Sequence, residues 1–100
     1  MAKTHRIDVR LNPERNVHVC IPPSTEVSPG DRVVWAGLGP ESLLVFFPEE
    51  SPVVEGRGPF KDNQGLTIQS KPPLKSGDKF VAQIAIRGDL RKTEGDIIVT

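Results

Sequence analysis

Apolar and polar residues alternate along most of this chain, and glycine or proline breaks each alternating run before it becomes long. Ile7, Val9 and Leu11, for example, are separated by Asp8 and Arg10. Successive side chains of a β-strand point to opposite faces, so such a run gives a strand with one apolar face. No long segment repeats its apolar residues at the spacing of a helix. The sequence therefore predicts an all-β fold.

Turn residues mark where the predicted strands begin and end. Ser28-Pro29-Gly30-Asp31 is a strong turn signal, because proline presets φ and glycine accepts a positive φ. Pro22-Pro23 is predicted to end the strand before it, since neither proline can donate a hydrogen bond to a neighbouring strand. The predicted strands are residues 6–11, 17–21, 32–35, 43–47, 66–68, 79–87 and 96–100. About seven strands at this spacing predict a two-sheet β-sandwich.

The length and a few segments give more detailed predictions. A chain of 100 residues supports one hydrophobic core, so residues 1–100 are predicted to form a single domain. The continuous apolar run at residues 43–47 predicts a central strand covered on both faces, and residues 79–87 are the clearest strand. The remaining segments are predicted loops at residues 49–65, 71–78 and 88–95. The first of these is long for a structureless connection, which indicates a short internal element or a functional role.

The charge balance and the single cysteine limit the function and the location. Thirteen basic residues match thirteen acidic ones, so the chain lacks the positive field that attracts nucleic acid or anionic lipid. One cysteine cannot form an internal disulfide, and the first ten residues contain no apolar segment of a secretory signal. No stretch approaches the length of a membrane span. We therefore expect a cytoplasmic protein with no nucleic-acid or membrane partner.

The charges are unevenly placed along the chain. Residues 41–55 carry four glutamates and no base, whereas residues 61–92 carry seven bases and three acids. In one interpretation these two stretches form a complementary surface for self-association. Ordinary solvated loops of mixed charge explain the same pattern, and this is the preferred interpretation of the sequence.

Three groups of residues follow each other in the order of a known β-sandwich. They are Ile21-Pro22-Pro23 followed by residues 27–35, Gly39-Pro40 followed by residues 43–48, and residues 77–82 followed by residues 95–99. In these turns and strands the chain resembles the cupredoxin family, the β-sandwich of blue-copper proteins. The resemblance covers most of residues 17–100 and implies a Greek-key sandwich.

The copper ligands of that family do not carry over to this chain. A blue-copper site needs one thiolate and two imidazoles, often with a thioether. The resemblance implies a first histidine just before residue 43, where this chain has Glu41-Ser42. It implies the other ligands in the loop at residues 88–95, which contains no cysteine, histidine or methionine. We therefore expect a copper-free member of the family, with no metal and no other cofactor.

A different metal site or a catalytic site is less well supported by the residues. His18 and Cys20 lie two apart on one strand and share a face, and His5 begins the preceding strand. Structural zinc usually takes four ligands, so we expect instead a partly buried Cys20 and a His18 on a solvated or interface face. A strand face also offers no helix dipole to lower the pKa of a thiol, and no nucleophile motif occurs, so we do not expect an enzyme.

Protein–protein interaction or self-association is the function that the sequence favours. The partner-binding residues are predicted in two loops, which the resemblance places near one end of the sandwich: Val53, Val54 and Phe60 in the first, and Arg87, Arg91 and Lys92 in the second. Phe60 either fills the core or anchors a partner, and we favour the core because burial of such a side chain gains about 2 kcal/mol. One of Phe46 and Phe47 must face away from the core. The alternatives are a small-ligand or carbohydrate binder and an enzyme that uses the vacated metal pocket.

Overall fold

The computed structural model describes residues 3–37, 43–70 and 75–100. These residues contain ten β-strands and no helix, so the prediction of an all-β fold is confirmed. The strands are β1 (Thr4–Asn12), β2 (Val17–Val27), β3 (Arg32–Gly37), β4 (Leu43–Phe46), β5 (Phe60–Lys61), β6 (Leu66–Thr67), β7 (Lys79–Phe80), β8 (Gln83–Ile86), β9 (Asp89–Arg91) and β10 (Thr93–Val99). No helix in these described ranges has the length and apolar character needed to cross a membrane.

The strands form two sheets that enclose one hydrophobic core. The larger sheet has the order β6-β3-β1-β2-β10-β7, and the smaller has the order β5-β4-β8-β9. Inward-facing side chains of both sheets make up the core, among them Ile7, Val9, Trp35, Val45, Phe47, Ile84 and Ile97. Trp35 of the larger sheet meets Phe47 after β4 edge to face, with ring centroids 6.0 Å apart. Two sheets around a shared core correspond to the predicted β-sandwich.

The course of β1 defines the two ends of the molecule. β1 runs parallel to β3 from the pair Thr4–Arg32, and antiparallel to β2 as far as the pair Asn12–Val17. We call the end where β1 begins the His5 end, and the end where it finishes the His18 end. The nine residues of β1 separate these ends by about 26 Å, at about 3.3 Å per residue.

The two prolines of β2 do not end the strand, and that prediction is wrong. β2 continues through Pro22 and Pro23 to Val27. Its pairing with β1 stops at Ile21, and its pairing with β10 jumps from Val19 to Ser24 across a β-bulge. The prolines therefore lie where neither neighbouring strand needs an N–H donor, which is the one place where a strand interior tolerates them.

The bulge brings the backbone of β10 against β2 at Gly95. Gly95 has a φ of +149°, and a Cβ added there would lie 2.4 Å from Cβ of Cys20 and 2.7 Å from its Sγ. Both the positive φ and the close approach require glycine at this position.

Residues 79–87 form two strands in different sheets, so the prediction of a single strand is wrong. β7 pairs with β10 in the larger sheet, whereas β8 pairs with β4 in the smaller. Ala82 and Ile84 are buried and Phe80 packs against the same core, so the apolar face is continuous although the hydrogen-bonding partner changes. The alternation in the sequence records only which side chains face the core, and both sheets share that core.

The charged segment at residues 88–95 is also a correction, because it forms β9 and the start of β10 rather than a loop. Arg87 and Gly88 have φ values of 54° and 77° and make a two-residue turn between the paired residues Ile86 and Asp89. Positive φ at both central residues is typical of the tight turn that joins antiparallel strands. This turn lies at the His18 end.

At the His5 end, the predicted turn at residues 28–31 is confirmed and is held by the Asp31 carboxylate. Asp31 accepts hydrogen bonds from His5 Nε2 at 2.8 Å and from the backbone N–H groups of Lys3 and Ser28 at 3.0 Å. The bond from His5, followed by those from the two backbone groups, lowers the pKa of Asp31 to about 2. The carboxylate thus joins the start of β1 to the turn before β3.

We expect Gly95→Ala to lower the free energy of unfolding by at least about 2 kcal/mol more than Gly77→Ala, because overpacking against Cys20 adds to backbone strain. Gly77 is the matched control, since it has a φ of +94° but no atom within 4 Å of an added Cβ. Urea unfolding of both variants measures the difference. Equal effects of the two substitutions would contradict a close contact at the bulge.

We expect the wild-type protein to lose stability as the pH falls from about 4 to 2. In the unfolded chain the carboxyl of Asp31 has its ordinary pKa of 3.8, so it takes up a proton at higher pH than the folded carboxyl, whose pKa is about 2.

Asp31→Asn should remove this part of the pH dependence and lower the free energy of unfolding by about 1–3 kcal/mol at neutral pH through lost hydrogen bonds. Asp78→Asn, in an exposed turn where the carboxylate accepts one bond from Lys75, is the control. Urea unfolding at several pH values tests both, and an unchanged slope in Asp31→Asn would refute the assignment.

Candidate functional site

The first predicted group of partner-binding residues is mostly buried. Val53 is 0% exposed and Phe60 is 5% exposed, whereas Val54 is 61% exposed. Val53 forms an isolated bridge to Ile68, and Phe60 pairs with Val45 in the smaller sheet. Val53 and Phe60 therefore cannot present a side chain to a partner, and the interpretation of Phe60 as a core residue is confirmed.

Val53 and Arg87, one from each predicted group, lie at opposite ends of the molecule, whereas Phe60 and Arg91 lie in register across the smaller sheet. Val53 is beside Ile68, whose N–H donates to the Asp31 carbonyl at the His5 end. The carbonyl of Lys92 accepts a bond from the N–H of His18, and Arg87 lies in the turn at the same end. Arg91 is in β9 and pairs its guanidinium with the Asp89 carboxylate. Val53 and Arg87 therefore do not share one surface, because the long loop returns along β6 toward the start of β3.

A cleft of about 520 Å³ opens between the sheets at the His18 end. The ends of β1 and β3, the start of β4 and the β8–β9 hairpin surround it. Its described lining residues are Val9, Arg10, Leu11, His18, Gly37, Leu43, Ile86, Arg87 and Asp89. Gly39-Pro40 and Glu41-Ser42, to which the sequence assigned a family turn and the lost copper ligand, lie outside the described residues.

His18 is a buried member of this cleft, so its expected position on a solvated or interface face is wrong. It is 1% exposed. Its Nε2 lies 3.2 Å from the carbonyl oxygen of Asp89, and its Nδ1 has no hydrogen-bond partner in the described part of the chain. The side chains of His18 and Cys20 face inward, and those of Val19 and Ile21 face outward. The polarity of the strand misleads here, because Val19 and Ile21 occupy the side that is more exposed to solvent.

His5, His18 and Cys20 are not brought together. His5 pairs with Val33 and bonds to Asp31 at the His5 end, away from His18. Cys20 is buried beside Gly95, and burial, with a smaller contribution from the Asp96 carboxylate, raises the pKa of its thiol to about 11. Within the described ranges, no group of three metal-ligating side chains clusters in space. A neutral, buried thiol is neither a nucleophile nor a ready metal ligand.

The outer surface of the smaller sheet is a second feature, and the sequence did not predict it. Leu44 of β4 is 37% exposed and Leu90 of β9 is 54% exposed, so the expectation that residues 43–47 are covered on both faces is wrong. Ala85 of β8 lies between them in register. Phe46 lies on the same side of β4 and is half-buried. We call Leu44, Phe46, Ala85 and Leu90 the outer face.

A shallow groove of about 480 Å³ continues the outer face toward the His5 end. Pro48, Pro59 and the side chain of Arg57 border it, together with Leu44 and Phe46. The long loop thus covers part of Phe46, which is the phenylalanine that faces away from the core. Phe47 is the buried member of the pair, at 2% exposure.

Charges of opposite sign lie beyond the two ends of the outer face. Glu49 and Glu50 follow β4 and are exposed, with the Arg57 guanidinium donating to the carbonyl of Glu49. At the other end, the β8–β9 turn carries Arg87. Glu49 and Glu50 are therefore separated from Arg87 along the strand direction.

A scan of the chain against models of known protein families found no match, and a search of the curated proteins found no significant relative. The cleft and the outer face are therefore the two features on which a function can be based.

We expect the thiol of Cys20 to react very slowly with Ellman's reagent at pH 8 in the folded protein, because a raised pKa and burial both keep the thiolate from the reagent. The rate should rise to that of a free thiol in denaturing urea. A Val54→Cys variant, with its new cysteine at an exposed position, provides the control. If Cys20 reacted as fast as the new cysteine under native conditions, the buried position would be wrong.

Proposed function

We propose that this protein is a non-catalytic, copper-free, cupredoxin-like module that acts by protein–protein association, and that the outer face binds a second copy of the chain. The parallel pairing of β1 with β3 and of β2 with β10 supports a Greek-key arrangement of this kind. The free cysteine supports a reducing, cytoplasmic setting.

The observation that carries the proposal is the apolar outer face. Leu44, Ala85 and Leu90 are directly opposite one another across three hydrogen-bonded strands, and Phe46 extends the surface along β4. Removing apolar surface from water stabilises a complex by about 25 cal/mol per Å². Burial of this continuous surface against a partner is therefore favourable. Exposed apolar patches that are framed by polar residues are typical of protein–protein contacts. Lys61, opposite Leu44 on the edge strand β5, supplies part of such a frame.

The separation of charge favours a second copy as the partner. In a two-fold pair of antiparallel outer faces, Glu49 and Glu50 of each copy lie over the end that carries Arg87 in the other. Opposite charges then meet twice, once on each side of the axis. A two-fold contact uses the same surface on both copies, so one self-complementary surface suffices. Complementary charges of this kind select the partner and fix its orientation.

The edges of the sheets are poorer sites for association than the outer face. The edge strands β5, β6 and β7 have two residues each, and β9 has three. Such short strands offer few unpaired backbone groups to a second copy. Contact between faces is therefore favoured over continuation of a sheet.

The non-catalytic part of the proposal is supported by the polar groups of the described residues. The imidazole of His5 bonds to Asp31 and that of His18 to a backbone carbonyl, and among the described residues neither ring bonds to a hydroxyl or thiol. Nucleophilic catalysis requires such a base within hydrogen-bond reach of the nucleophile.

We expect Leu44→Asp to weaken self-association at least about tenfold, because the contact would bury an unpaired carboxylate. Ile21→Asp is the matched control: Ile21 is 40% exposed, also lies in a strand, and belongs to the larger sheet. Sedimentation equilibrium at several concentrations measures the dissociation constant, and thermal unfolding checks that both variants fold. The proposal fails if the wild-type protein stays monomeric up to about 1 mM.

The orientation of the pair can be tested by exchanging charges. Glu50→Lys should weaken association, and Arg87→Glu in the same chain should restore it, since the two positions face each other in the antiparallel arrangement. A double variant as weak as Glu50→Lys alone would contradict this orientation.

A further inference from the structure

The solvent side of the larger sheet carries a row of side chains that crosses three strands. Arg10 of β1 is opposite Val19 of β2, and Val19 is opposite Glu94 of β10. Directly opposite residues of neighbouring strands project from the same face of a sheet. Arg10 is exposed, and the other two side chains are half-buried. A base therefore lies on one side of β2 and an acid on the other.

The next residues along these strands repeat this distribution of charge. Because β1 is antiparallel to β2 and β10 is parallel to it, Arg6 and Asp96 follow the row in the same direction. Ile21 of β2 lies between them and is 40% exposed. Residues two or four apart on a strand share a face, so all these side chains belong to one surface. We call this surface the charged face: Arg6, Arg10, Val19, Ile21, Glu94 and Asp96.

On the β1 side of the charged face, one positive charge is left unbalanced. Arg6 Nε donates to the Asp8 carboxylate at 2.9 Å, so these two charges offset each other. Arg10 forms no ion pair with any residue that the structure describes. Its guanidinium therefore retains all of its donors for a partner.

On the β10 side, one negative charge is left unbalanced. Glu94 accepts hydrogen bonds from the guanidinium of Arg15, which offsets its charge. The Asp96 carboxylate accepts a bond from the hydroxyl of Ser24 at 2.6 Å, and it pairs with no base in the described ranges. The two sides of β2 thus carry excess charges of opposite sign.

A two-fold axis along β2 brings these opposite charges together in two copies of the chain. Since β1 and β10 flank β2, rotation about this axis places β1 of each copy over β10 of the other. Arg10 then faces Glu94 of the second copy. Arg6 faces Asp96 in the same way, and the aliphatic residues of β2 lie against their own counterparts. Each contact occurs twice, because a two-fold contact uses the same surface on both copies. The strands of the two sheets also stay aligned, as is usual when sheets pack face to face.

We propose that the charged face binds a second copy of the chain in this arrangement. It contains no residue of the outer face, so the contact does not depend on the one proposed for that surface. The two faces lie on opposite sides of the sandwich, and one molecule can use both at once. Copies then stack face to face into an open array that is larger than a pair.

A Leu44→Asp variant isolates this contact, because it weakens association through the outer face. The variant should still form pairs, with a dissociation constant of about 1 mM or tighter at low salt. Higher ionic strength should weaken the pairs, since exposed charges are screened. Addition of Arg10→Glu should raise the dissociation constant at least about tenfold, because it places a carboxylate opposite Glu94 at both symmetric positions. Lys75→Glu is the matched control: it makes the same change of net charge in an exposed turn away from the charged face. Sedimentation equilibrium measures each constant, and thermal unfolding checks that the variants fold.

The array is tested by Ile21→Asp in an otherwise unchanged chain, which should keep the pair formed by the outer face and lose only larger species. A Leu44→Asp variant that stays monomeric up to about 1 mM would overturn the contact. Equal dissociation constants with Arg10→Glu and Lys75→Glu would overturn it as well. Failure of the outer face alone gives a different result, namely pairs that Leu44→Asp leaves intact and Arg10→Glu dissociates.

Discussion

The contact between the Gly95 backbone and the Cys20 side chain is the constraint on which the rest of the structure depends. It lets β10 bulge past the proline segment of β2 and pair with that strand on both sides of the interruption. The pairs before the bulge set Thr93 opposite His18. The pairs after the bulge continue to the last core residue, Val99. Both the cleft at the His18 end and the closure of the larger sheet follow from this one close approach. A side chain at residue 95 would force the two strands apart.

The sequence predicted the fold class well because alternation reports directly on which side chains face a core. It could not predict strand pairing, which depends on residues distant in the chain. Phe80, Ala82 and Ile84 illustrate the difference, since they share an inward face while their strand changes sheets. Pro22 and Pro23 illustrate it again: a missing donor ends a strand only where a neighbour requires that donor, and here none does.

The candidate sites were harder to predict for a related reason. His18 lies between two valines in the sequence, and polarity alone assigns it to the wet side, whereas packing puts it inside. The sequence predicts both Val53 and Phe60 in a loop. In the structure Val53 forms a bridge to Ile68, Phe60 lies in the short edge strand β5, and both side chains are buried. Arg87 lines the cleft from the turn between β8 and β9. The outer face could not be found before the structure, because a continuous apolar run does not reveal which of its sides lacks cover.

The tight turn at Arg87-Gly88 has a consequence for both surfaces at once. In β8 and β9, Ile86 and Asp89 line the cleft, while Ala85 and Leu90 belong to the outer face. Neighbouring residues of one hairpin thus serve opposite sides of a single sheet. A strand that slips by one residue exchanges its two sides completely. The length of this turn therefore decides which side chains reach each surface. One more residue in the turn, with β9 shifted by one position, would turn Leu90 toward the cleft and Asp89 toward the outer face.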